Sequence, residues 1–173
     1  MASKKDLLRV YLDTCVVEPW FKNMIQSKKD DKNQIETPEI IQFLIAHPEI
    51  EKYISYFTIA ELVEILMFKT DKVRDHMKRL EIIGAFVEAF QRTIPNLRII
   101  VLEESKNGEK GLLIPIPELL QYTALIGEVK DAIHVCIAKH EDIFIVTKDD
   151  KIGKVQSVYP KTVGMKGFAK AFE

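Results

Sequence analysis

Residues 128–150, EVKDAIHVCIAKHEDIFIVTKDD, carry the reading that decides the fold. Within them Val129, Ala132, Ile133, Cys136 and Ile137 form one helical stripe, while Val135 and Ala138 fall on the other side. A helix that is apolar nearly all round is a buried helix. A short link then leads into 143–147, an apolar run of strand length. Buried helix followed by buried strand is the unit of a parallel sheet covered by helices.

The rest of the chain repeats that alternation. Strand-like runs stand at 9–12, 53–57, 97–102 and 143–147, with a weaker one near 162–165. Thr37, Pro38 and Glu39 read as an N-cap, a first-turn proline and a first-turn acid, opening a helix to about Ala46. Thr58 and Glu61 have capping-box spacing and begin a helix to about Phe68. A long amphipathic pattern spans 71–92 and is closed off by Pro95; its apolar stripe suits either internal packing or a homodimer surface. Helices over 117–126 and 128–139 complete an α/β fold, three layers around a central parallel sheet.

The 173 residues fit one domain, and an apolar fraction of 47% supplies a sizeable core. A net charge of −1 excludes a generally basic nucleic-acid coat but leaves room for a local groove. Cys15 and Cys136 lie in apolar runs outside any CxxC pair, and read as small core residues in a reducing compartment. The opening MASKKDLLRVYLD turns acidic too soon for a secretory signal, and no uncharged apolar run reaches spanning length. A cytoplasmic protein with no membrane partner is expected. QSKKDDKNQIE, 26–36, reads as a solvated loop.

Open parallel sheets bind ligands beyond the carboxyl ends of their strands, where strand order reverses. Asp13 ends the first apolar run, Asp149 and Asp150 follow the run at 143–147, and Glu61 lies four residues past Phe57. If these strands are parallel neighbours, the acids share one edge. Asp131 is the only formal charge between Lys130 and Lys139, on a helix with no wet face to hold it. Converging carboxylates repel, and some stay protonated unless a cation joins them. Mg2+ or Mn2+ meets that need with oxygen coordination, polarises a phosphodiester and activates a bound water. The sequence offers no persuasive covalent nucleophile.

Each acid also has a structural role open to it. Asp13 suits an Asx turn after its strand, and Glu61 suits the capping box. Asp150 is either solvated or caps a short turn at 151–154, Glu64 reads as a rim acid, and Glu128 is a reserve ligand three residues before Asp131. His134 reads as a packed, hydrogen-bonded residue rather than a ligand. Thr14 and Thr147 either orient carboxylates or bond the local backbone. Trp20 and Phe21 belong to the core or stack bases. From 148 to 173 six lysines face three acids, a charge excess that suits a phosphate-tracking rim or simple solubility.

Taken together these segments resemble the PIN-domain nucleases. Asp13-Thr14 looks like their first motif, SYFTIAELVEIL (55–66) their second with Glu61 at the acidic place, and KDAIHVCIAKHEDIFIVTKDD (130–150) their contiguous third and fourth with Asp131 and Asp149. KTVGMKGFAKAF (161–172) is similar to their last strand and helix. The resemblance implies a single PIN-like domain over 1–173, with longer segments at about 23–53 and 103–126. It implies a Mg2+- or Mn2+-dependent endoribonuclease that cuts single-stranded RNA, as do VapC-type toxins with antitoxin partners and RNA-processing PIN proteins. Asp13, Glu61, Asp131 and Asp149 are then the catalytic metal ligands. Cys15 stands where a polar residue is common, and is expected to remove a hydrogen bond from Asp13.

The alternative is a catalytically silent PIN-like module that binds RNA or a protein partner. A haloacid-dehalogenase-like phosphotransferase needs a second Asp at position 15, which is Cys15. A dinucleotide-binding fold needs a Gly-rich turn after the first strand, and GEKGLLIP (108–115) lacks that setting.

Overall fold

Strand β1 (Arg9–Leu12) turns Val10 and Leu12 to one side and Tyr11 to the other, all three fully buried. A strand apolar on both faces belongs inside a sheet covered on both sides. The computed structural model describes residues 8–29, 37–70, 73–100 and 114–172. Among them β1 joins β2 (Glu51–Ser55), β3 (Leu97–Ile100), β4 (Phe144–Thr147) and β5 (Thr162–Gly164) in an all-parallel sheet of order β3-β2-β1-β4-β5.

The pleat sorts the two cores. Val10, Leu12, Ile54 and Val146 face α1 (Thr14–Lys29), α2 (Glu39–Ala46), α3 (Tyr56–Lys69), α4 (His76–Thr93) and α8 (Met165–Lys170). Tyr11 and Ile145 face α5 (Ile116–Ile126), α6 (Val129–His140) and α7 (Asp149–Val158). The result is the expected three-layer α/β/α fold. Both cysteines are buried and free, as read from the sequence. No helix among the described residues is long and apolar enough to cross a membrane.

From β1 the chain runs outward through β2 to β3, then crosses back to β4 on the other flank of β1. The reversal opens a crevice at the carboxyl ends of β1 and β4, the usual ligand position of such a sheet. On the helical side, Gly127 ends α5 with φ of 83°, a left-handed turn that a side chain disfavours, and swings the chain into α6.

Several element boundaries differ from the sequence reading. The second strand occupies 51–55, and α3 starts at Tyr56 with Ser55 as its cap. The capping box is therefore Ser55 with Thr58: the Ser55 hydroxyl accepts from the Thr58 amide at 3.2 Å, and the Thr58 hydroxyl accepts from the Ser55 amide at 3.4 Å. Thr58 is not the cap, and Glu61 is released from capping. Thr37 does not cap α2, which begins at Glu39 after Pro38 without a side-chain cap bond. Helix α4 begins at His76, since Asp75 accepts from the Met77 and Lys78 amides, and 71–72 lie outside the described residues.

The run 26–36 is not all loop: 26–29 end α1, and 30–36 lie outside the described residues. The segment 23–53 resolves into the end of α1, α2 and the start of β2. Of the segment 103–126, 114–126 lead into and form α5, while 103–113, like 101–102 of the third strand run, fall outside. The short turn expected at 151–154 is part of α7.

Ser55→Ala deletes the α3 cap acceptor and one partner of the Tyr11 hydroxyl. It should lower the unfolding free energy by about 1–2 kcal/mol. Urea denaturation measures the change.

Candidate functional site

Asp13 is the residue after β1, and its amide donates to Val146 O at 3.1 Å, prolonging the β1–β4 ladder by one rung. Only 5% exposed, its carboxylate is held by donors. Thr147 Oγ1 donates to Oδ2 at 2.6 Å, Cys15 Sγ donates to the same oxygen at 3.0 Å, and the Cys15 amide lies 3.4 Å from Oδ1. Hydrogen bonds to the charged form are what make such burial tolerable. Cys15 thus supplies the bond it was expected to remove. Burial, and then the charge of Asp13, push its thiol up to about 12, so it is a donor and not a thiolate nucleophile.

Glu61 lies in the second turn of α3 and points at the same crevice. Its Oε2 accepts from the Thr14 hydroxyl and stands 2.9 Å from His134 Nε2, while Lys130 Nζ is 3.6 Å from Oε1. Burial pushes this carboxyl upward, but the bonds from His134 and Thr14 and the charges of His134 and Lys130 outweigh it. The net effect holds Glu61 below the ordinary carboxylate range.

His134 is 1% exposed and bridges two layers. Its Nε2 is 3.2 Å from Thr14 Oγ1 and 3.7 Å from Asp13 Oδ1, and its Nδ1 is 2.6 Å from the Tyr11 hydroxyl. That hydroxyl also meets Ser55 Oγ at 2.8 Å and Thr58 Oγ1 at 3.2 Å. Burial raises the Tyr11 phenol far above its ordinary range, so it stays protonated. His134 is the packed, hydrogen-bonded residue the sequence indicated.

Asp131, in the first turn of α6, has both carboxylate oxygens 3.1 Å from Lys151 Nζ, and Glu128 stands 3.6 Å from the same ammonium. Burial raises the Asp131 carboxyl; Lys151 opposes that, and the charges of Asp13 and Glu128 add to it. The net direction is upward. Two carboxylates of one cleft are therefore pushed in opposite directions, Glu61 down and Asp131 up.

These side chains line a cleft of about 250 Å³ together with Cys15, Glu18, Glu64, Ile65 and Lys130. Six acids against two lysines give it a negative field that concentrates cations. Among the described residues, no group of three or more His, Cys, Asp and Glu is gathered closely enough to hold a metal ion. The carboxylates face hydroxyls, an imidazole and ammonium groups.

Of the predicted site residues, Asp13, Glu61 and Asp131 share the cleft with Thr14 and Glu128. Asp149 opens α7 close behind Thr147, and its side chain lies outside the description. Asp150 is exposed and does not line the cleft. Thr147 orients Asp13, and Thr14 orients Glu61. Glu64 is an exposed rim acid, 3.0 Å from Lys130. Trp20 and Phe21 are core residues, buried against Phe90, which removes them as base-stacking platforms. The C-terminal lysines do not form a single rim either. Lys151 is in the cleft, while Lys161, before β5, pairs with Asp142 at the opposite edge of the sheet. Sequence reading passed over Tyr11 and Lys130, and counted Lys151 only among the lysines of a rim. Tyr11, a polar tip inside an apolar strand, was the signal available.

The opposite shifts of Glu61 and Asp131 give opposite stability effects. Glu61, depressed, contributes stability that is present above about pH 4.3 and is lost as pH falls through its lower folded value. Asp131, raised, costs stability that sets in as pH climbs from about 3.9 through its folded value. At pH 7 Glu61→Gln should lose about 1–3 kcal/mol, and Asp131→Asn should raise Tm. As pH falls through the lowered value of Glu61, the difference between the variants should shrink. Thermal melts at pH 7 and pH 3 measure both signs.

The fold is similar to that in the crystal structure of PAE2754 from Pyrobaculum aerophilum, with a TM-score of 0.50 at 12% identity, over 94% of this chain and 93% of that one. At that identity the likeness shows the fold alone. No family model matches the chain, and no curated protein matches it by sequence.

Proposed function

We propose that this chain is a metal-dependent endoribonuclease of the PIN type, cutting single-stranded RNA by attack of water on a phosphodiester. The observation that carries the reading is the meeting of Asp13, Glu61 and Asp131, from the end of β1, α3 and α6, in one cleft at the crevice where strand order reverses. The order and spacing of the sequence motifs support the same reading.

The donor chemistry fits Mg2+ or Mn2+. All three side chains offer hard carboxylate oxygen. Asp13 Oδ1 has its nearest recorded partners at 3.4 Å and 3.7 Å, and Glu61 Oε1 at 3.6 Å. Each therefore keeps an oxygen that is only loosely engaged. Asp13, Glu61 and Asp131 stand apart in this structure and would have to draw together to hold the ion, with Asp149 as the fourth carboxylate the sequence provides. The bound ion would polarise the phosphodiester and lower the pKa of the attacking water.

The chain's own residues do the rest. Thr147 and Cys15 hold the Asp13 carboxylate in place, and Thr14 with His134 fixes Glu61. Single-stranded RNA as the substrate rests on the resemblance of the sequence motifs. One observation favours a second reading. Asp13, Glu61 and Asp131 each already have an internal partner, as in a silent module that binds RNA or a protein without cutting.

With Mn2+ or Mg2+ the purified chain should cleave single-stranded RNA, spare duplex RNA and stop in chelator. Asp131→Asn and Glu61→Gln should each slow cleavage by about a hundredfold or more, a few kcal/mol of transition-state stabilisation. Gel-resolved cleavage of a labelled strand measures this. A parent chain that binds RNA but leaves it whole across metals and substrates establishes the silent module.

A further inference from the structure

The cation now in the cleft is the chain's own. Lys151 Nζ stands 3.1 Å from both oxygens of Asp131 and 3.6 Å from Glu128 Oε2. That geometry takes up the Asp131 carboxylate from both sides, so Asp131 cannot serve a divalent ion in the same position while the ammonium stays. Lys151 is also free to leave. Its side chain is 33% exposed, and it sits in the first turn of α7 on a flexible four-carbon stem. Lys130 differs: it is 50% exposed and bonded chiefly to the rim acid Glu64, outside the deep acids.

Building on the nuclease reading, we propose that Lys151 is an internal counter-cation. A divalent ion displaces it from Asp131, and it then binds a phosphate oxygen of the RNA strand. In the free protein the ammonium relieves the repulsion among Asp13, Glu128 and Asp131. When a metal ion takes over that task, two cations beside one carboxylate repel, and the ammonium swings toward the mouth of the cleft. There the incoming phosphodiester supplies the negative charge it has lost. The residue screens the empty site and recognises substrate in the filled one, without any bond being made or broken.

The test uses the full chain. Mn2+ binding is followed by electron paramagnetic resonance without RNA, in the parent, Lys151→Met and Lys151→Arg. Lys151→Met should bind Mn2+ about tenfold more tightly, because the ion no longer has to displace a cation from Asp131. At saturating Mn2+ its KM for single-stranded RNA should rise about tenfold, with kcat changed far less. Lys151→Arg keeps the charge, so it should bind Mn2+ no more tightly than the parent and restore most of the RNA affinity.

Equal or weaker Mn2+ binding by Lys151→Met overturns the proposal and leaves the nuclease reading standing. So does an unchanged KM. Tightening by Lys151→Arg to the same extent as Lys151→Met traces the effect to packing and overturns it too. If neither parent nor Lys151→Met binds Mn2+, the proposal and the metal-dependent reading fall together. Should Lys151→Met not fold, Lys151→Gln takes its place with the same expected results.

Discussion

The pairing of Leu12 with Val146 governs the rest of the structure. It sets β1 and β4 side by side and parallel, with their carboxyl ends level, at the point where the strand order reverses. One residue further, the Asp13 amide meets Val146 O, and the Thr147 hydroxyl meets the Asp13 carboxylate. A slip of one residue would turn Asp13 and Thr147 to opposite faces of the sheet, because side chains alternate along a strand. The buried carboxylate would then lose its best donor.

The same alternation assigns the layers. Tyr11 and Asp13 are two residues apart and share the face covered by α6. On α6, Asp131 and His134 are three residues apart and share the face turned to the sheet. Two short periodicities, one of a strand and one of a helix, thus bring the residues together without help from a long loop. Helix α3 completes the arrangement from above β2, since its cap Ser55 and Thr58 both meet the Tyr11 hydroxyl. A single buried phenol ties the start of α3 to β1 and, through His134, to Glu61.

How much of this was legible depends on which physical signal dominated each segment. The buried helix at α6 announced itself because its apolar pattern had no polar face, and Asp131 stood out against it for the same reason. Asp13 and the strand ends were visible as charges closing apolar runs. Helix α1 was hidden by Pro19, which reads as a helix breaker yet lies inside the helix. Tyr56 and Phe57 looked like the end of a strand, and only the mutual bonds of Ser55 and Thr58 move them into a helical turn. That shift of the cap also decided the reading of Glu61: with the capping box complete three residues earlier, its inward carboxylate serves the cleft alone. Lys151 was illegible because α7 was, and because a lysine in a charged run gives no sign that it points inward.

The electrostatics follow from how each carboxylate is surrounded rather than from how many there are. Glu61 is half-buried with two strong donors and is held low; Asp131 has one ammonium partner and two acidic neighbours and is held high. Counting acids predicts mutual repulsion and an outside cation to relieve it. The geometry offers internal relief first: hydroxyls and a thiol on Asp13, imidazole and hydroxyl on Glu61, an ammonium on Asp131. Of these only the ammonium sits on a part-exposed side chain, whereas the hydroxyls and the imidazole are on buried ones. A cation entering from solvent would meet an ammonium already at Asp131, whose carboxyl burial raises. Glu61, held by buried donors, and Asp131, held by a part-exposed ammonium, thus stand in opposite electrostatic environments within one cleft.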